Sequence, residues 1–208
     1  MHVPSRTAPS STVPSAALAA GALQIAVGVL QAVDPGDTVP TLRPVEHAVL
    51  GLYAVSLVLL APVHLRLGAL SRARRSPVVA AGAMVALAIA MTITNLHDQD
   101  YWWFPAVAVP VNAAWLLGAV VLSASLWRAG RVARWVAVLP VASLLFGLPL
   151  SQLGGGAVAG AAWLAVGALL RAGALERTPA PGVPGAPARL RGLATPVPRG
   201  AQCSPGDA

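Results

Sequence analysis

Two histidines and a handful of carboxylates carry most of the chemistry this 208-residue chain could offer. Glu46 and His47 are adjacent, while His97, Asp98 and Asp100 form a second short run. Imidazole beside carboxylate suits a divalent metal ion or a proton-transfer pair. Glu46, His47, His97 and Asp98 are therefore the candidate metal ligands, with Asp34 within reach on a neighbouring loop. Their spacing matches no established metal motif. Neighbours on a helix also diverge by about 100°, so Glu46 and His47 cannot both face one point. A solvated rim of loop charge is the plainer account.

A second set is neutral. Gln24, Asn95 and Asn112 lie within long apolar stretches, where they could line a small polar cavity. The ordinary alternative is hydrogen bonding between helices, at about 0.6 kcal/mol each. Gln24 and Gln31 fall on one helical face, as do Thr92 and Asn95. Ser56, Ser123, Ser125 and Ser143 can bond their own backbone carbonyls. No acid or base sits in the middle of an apolar stretch, which argues against a proton relay. The single Cys203 can form neither an internal disulfide nor a cysteine metal site.

Composition fixes the setting for these groups. Hydrophobic residues make up 56% of the chain and charged residues 10%, with mean hydropathy +0.70. Soluble domains carry about 25% charge, so the polar coat of a soluble enzyme or a nucleic-acid-binding domain is missing. All 14 basic residues are arginine. With so few Ile and Asn, this bias points to a GC-rich bacterial genome rather than to a nucleic-acid partner.

A span needs about 20 mostly apolar residues. Six stretches are expected to cross the bilayer: 15–33, 47–65, 77–96, 105–127, 135–150 and 154–170. The last two are short and separated by Gln152 and Gly154-Gly155-Gly156, so a re-entrant hairpin is the alternative there. The expected fold is all-α, a polytopic bundle of six transmembrane helices with short loops. Residues 1–14 read as a disordered tail, 15–171 as the membrane domain, and 172–208 as a disordered Pro/Gly/Arg-rich tail. Stretch 15–33 resembles a signal peptide only in having Arg6 before it; its apolar run is long and no Ala-x-Ala site follows.

Thirteen arginines fall on one side of this arrangement and only Arg43 on the other. The positive-inside rule then places both termini in the cytoplasm of a bacterial plasma membrane. Asp34, Asp37, Glu46, Asp98 and Asp100 segregate to the outer side. Tyr101, Trp102, Trp103 and Phe104, with Trp127 and Trp135, fit the interfacial aromatic belts. Trp115 and Trp163 lie mid-span.

Helices in lipid associate through small residues. Gly156, Gly160 and Gly167 supply such a face, as do Ala20, Gly21 and Gly28, and Ala81, Gly82 and Ala86. A shift of 87 residues aligns Pro62 with Pro149 and four other identities, a faint echo of an inverted repeat. The expected function is that of a non-enzymatic membrane protein acting through packing, a protein partner or self-association. A small-solute or ion transporter is the alternative, and a membrane enzyme or metal protein using the outer His/carboxylate set comes third.

Overall fold

The computed structural model describes residues 12–35, 41–71, 73–98, 102–147, 150 and 153–175. Six helices follow one another: α1 (Thr12–Val33), α2 (Pro44–Ser71), α3 (Ser76–Leu96), α4 (Phe104–Ala129), α5 (Arg134–Gly147) and α6 (Gly155–Arg171). Each apolar stretch read from the sequence thus contains a helix. The first four helices are long and apolar enough to cross a membrane. At 14 and 17 residues, α5 and α6 fall short of the roughly 20 that a span needs.

Local signals set the ends. Proline occupies the first turn of α3 and α4, where its missing N–H would have had no helical partner. Gly130 ends α4 at φ 60°, its N–H donating to the carbonyls of Leu126 and Trp127. Arg66 does not end α2, which runs on to Ser71. An apolar run measures where the chain is greasy, whereas a helix satisfies its own backbone in water as well. The tail boundaries move for the same reason. Thr12 already begins α1, and Leu175, expected in the tail, is buried in the core. The remaining tail residues, Cys203, Asp37, Asp100 and Pro149 lie outside the described residues.

The helices are apolar on every side, and small residues face inward beside large ones such as Trp115, Trp163 and Met84. α1 buries Ala17, Ala20, Gly21 and Gly28. Val55, Val58, Leu117 and Val121 meanwhile stand 49–66% exposed. A helix in water would carry polar residues on that outer face. Each helix packs on its neighbours in the chain, and α1 closes the ring by packing on α6, while α2 also touches α4.

The closing seam is made of glycine. A Cβ added at Gly21 would lie 2.7 Å from the Gly160 carbonyl oxygen and 2.8 Å from Leu164 N. At Gly167 it would lie 2.9 Å from Leu18 N, and Gly28 meets Gly156 and Ala157 backbone to backbone. The small-residue faces expected on the first and last stretches are therefore each other's partners, in antiparallel register.

Antiparallel packing gathers the ends into two rims. Asp34, Arg43, Glu46 and Asp98 share one, the acidic rim. The loops between α2 and α3 and between α4 and α5, rich in arginine, form the other. There Arg134 lies over the Trp127 ring at 5.2 Å. His64, expected near the end of its span, is instead fully buried because α2 continues for two more turns. Its ring packs against Trp163 at 5.3 Å, and Nδ1 donates to the Leu60 carbonyl at 3.1 Å.

Candidate functional site

A polar cavity lies inside the ring. Its volume is about 230 Å³, and every helix contributes to its wall. α1 supplies Gln24 and Gln31, one face of that helix as its period requires. α2 supplies Tyr53, α3 Leu87 and Met91, and α4 Phe104 and Asn112. Gly147 of α5 and Gly156 of α6 complete it. A Cβ at Gly147 would lie 3.0 Å from the Tyr53 hydroxyl.

Among the described residues, no charged side chain lines the cavity. The polar groups that do are underused. Gln24 Oε1, the Tyr53 hydroxyl and Asn112 Oδ1 are all buried with no hydrogen-bond partner in the protein. A buried polar atom left unpaired costs about 1–3 kcal/mol. All three belong to residues of the cavity wall, although the atoms themselves are closed off from its space. The rest of the wall is mostly apolar and aromatic, as in pockets for small molecules.

Asn95 is not part of it. The sequence grouped Asn95 with Gln24 and Asn112, and the structure brings only the latter two together. Asn95 points to α2, where its Oδ1 meets His47 Nδ1. The other serines and threonines divide as their type allows. Ser56, Ser125, Ser143 and Thr92 bond carbonyls in their own helices, and Ser123 Oγ has no partner.

The acidic rim holds the candidate metal ligands in two separate clusters. His47 Nε2 donates to Asp98 Oδ1 at 2.7 Å, while Nδ1 is taken by Asn95. Asp98 reaches it from a left-handed backbone, φ 57°, which Asp tolerates better than most residues. Glu46 faces the other way, toward Arg43, as adjacent positions on a helix must. Arg43 joins Asp34 Oδ1 at 2.8 Å, the Pro35 carbonyl at 2.9 Å and Glu46 Oε1 at 3.3 Å. The hydrogen bonds to Asp34 and Glu46 raise the guanidinium further above its ordinary range. His97 caps α3 through its backbone N–H, which is shared between Ile93 and Thr94. Among the described residues no three His, Cys, Asp or Glu side chains are placed to hold a metal ion. The shared site expected over Glu46, His47, His97 and Asp98 resolves into one His–Asp pair and one arginine clasp.

A recess of about 170 Å³ beneath the Arg43 clasp is lined by Asp34 and Glu46, and shares Gln31, Val49 and Leu50 with the cavity. Tyr53 and Arg43 are the residues that sequence reasoning overlooked. Tyr53 offered a signal, being a phenol inside an apolar stretch where every hydroxyl needs a partner.

Comparison with protein-family models, curated proteins and solved structures finds no match to this chain.

Proposed function

We propose that the chain is a six-span protein of the bacterial plasma membrane, with both termini cytoplasmic, that binds a small solute inside its helix ring. A cavity walled by residues of all six helices, with no charged side chain among the described residues that line it, carries this reading. Arginine segregation puts the acidic rim, and with it the recess that shares wall residues with the cavity, on the outer side. In this reading α5 and α6 cross as a pair, their short lengths matched by local thinning of the bilayer. The role belongs with solute binding or transport more than with packing alone.

Cysteine accessibility tests it. In a Cys203→Ser background, Gln31→Cys should react with an impermeant thiol reagent in intact cells, and Arg74→Cys should not. Labelling at 74 without labelling at 31 would reverse the orientation. An Asn112→Cys thiol reached by no small reagent, permeant or impermeant, would remove the cavity from the function.

A second reading has its own observation. An apolar groove on α2 and α3 is walled by the exposed Val55, Val58 and Ile89 and reaches in to Gly51 and the buried Ala54 and Ala88. Small residues on a lipid-facing surface allow another transmembrane helix to approach closely. Gly51→Leu should then shift the oligomeric state in detergent, without altering labelling at Gln31→Cys.

A further inference from the structure

The arginine-rich rim carries a pocket of its own. Ser71 lines it from the end of α2, Ser125, Arg128 and Ala129 from the last two turns of α4, and Arg131 from the loop that follows. Both arginines are exposed. Among the described residues neither has an ion-pair partner, because the acids there are Asp34, Glu46 and Asp98, all on the opposite rim. We infer that this pocket binds the headgroup phosphate of an anionic phospholipid.

The lining decides the charge of the ligand. Ser125 Oγ donates to the Val121 carbonyl at 2.7 Å, and Ser71 Oγ to the Gly68 carbonyl at 3.0 Å. With both hydroxyl protons in use, the side-chain donors left in the pocket belong to the two guanidiniums. Each planar fork can meet two oxygens of a phosphate. A cation would be repelled.

The helix below decides between a lipid and a free ion. Leu117, Val121, Ser125 and Arg128 recur at helical spacing, which places them on one face of α4. Leu117 and Val121 are exposed, so that face runs from bare aliphatic side chains to a cation at the rim. An acyl chain can lie along the first part while its phosphate reaches the second. Trp127 and Trp135, both exposed, flank the loop that carries Arg131, as interfacial aromatics do at headgroup level. A free phosphate ion would use only the rim end of this face.

The two arginines differ in what else they do. Arg128 sits in the last turn of α4, where a cation also offsets the helix dipole. Arg131 lies beyond the helix and has no such use, so its substitution reads out the pocket alone.

The full-length protein in detergent micelles is titrated with phosphatidylglycerol, or with phosphatidylcholine of the same acyl chains, and its melting temperature followed. Phosphatidylcholine sets a cation against the arginines, and should need at least about tenfold more lipid for the same shift. Arg131→Gln should raise the phosphatidylglycerol requirement about fivefold, the factor for one arginine at an anionic surface. Arg128→Gln/Arg131→Gln should lose the preference for phosphatidylglycerol. Arg74→Gln/Arg75→Gln removes the same charge from the same rim, outside the pocket, and should keep it. Inorganic phosphate should leave the wild-type melting temperature unchanged. Because Arg131 is an exposed loop residue, its single variant decides the matter even where the double variant does not fold. No preference for phosphatidylglycerol in wild type, or an Arg131→Gln protein that keeps the wild-type requirement, would overturn the site. Equal loss in the Arg74/Arg75 variant would assign the effect to the diffuse charge of the rim and overturn the pocket. Stabilisation by inorganic phosphate to the same extent would overturn the lipid as its occupant.

Discussion

His47 and Asp98 lie 51 positions apart in the chain and 2.7 Å apart in space. That contact, with Asn95 on the other ring nitrogen, pins the first turn of α2 to the last turn of α3. The side chain of Asp98 is 65% exposed and that of His47 33%. Solvent screens an exposed ion pair, so the part-buried contact with the Asn95 amide is expected to be the stronger anchor. In double-mutant cycles His47/Asn95 should show a larger coupling energy than His47/Asp98. Adding salt should weaken only the second. The reverse order would mean that the ion pair, not the amide, holds these helix ends.

Glycine at the α1–α6 seam leaves no room for substitution. Gly160→Ala should lower the melting temperature in detergent by more than a typical core truncation, because the added methyl meets the α1 backbone at Gly21 and Ile25 as well as the Ile25 side chain. Gly82 is the control, with nothing within 4 Å of its added Cβ. Replacing it with Ala should stabilise the protein by roughly 0.5–1 kcal/mol through helix propensity. A seam that tolerates Ala at position 160 would show that these helices can slide apart at little cost.

Tyr53→Phe separates stability from binding. The hydroxyl has no partner in the folded protein, so its removal should leave the melting temperature unchanged or raise it by up to about 1 kcal/mol equivalent. Binding of a hydrogen-bonding ligand should weaken in the same variant. A marked loss of stability without ligand would show that the phenol is used in the folded state after all.

The Arg43 clasp spans the recess between the ends of α1 and α2. Arg43→Ala should cost little stability, because solvent screens a surface ion pair. It should nevertheless speed the reaction of Gln31→Cys with an outside thiol reagent, since Asp34 and Glu46 would no longer be tied together. Unchanged kinetics would place the route to the cavity elsewhere.

The six helices were legible because each is an uninterrupted apolar run bounded by proline, glycine or arginine. Their rotations were not. A helix apolar on all sides shows no stripe from which its inward face can be read, and so Asn95 was grouped with Gln24 and Asn112 although it looks toward His47. His64 was misplaced for a different reason. Arg66 marks the edge of the greasy run, while the helix and its packing against Trp163 continue past it. Glu46 and His47 were correctly expected to diverge, because a helix period is fixed whatever surrounds it. Tyr53 was missed because its neighbours around the cavity come from five other helices, and no local pattern in the sequence records such an assembly.

The glycine seam also dictates a schedule for biogenesis. Gly21 meets Gly160, so the first helix made waits for the last before its inner face is covered. A ribosome adding roughly 5–20 residues each second needs on the order of ten seconds to bridge that interval. Through that time α1 sits in the translocon or the bilayer with bare backbone along one side, open to any helix with a matching small-residue face. Nascent chains arrested between α5 and α6 should therefore be the most susceptible to chaperones and membrane proteases, and release of α6 should end that exposure in one step.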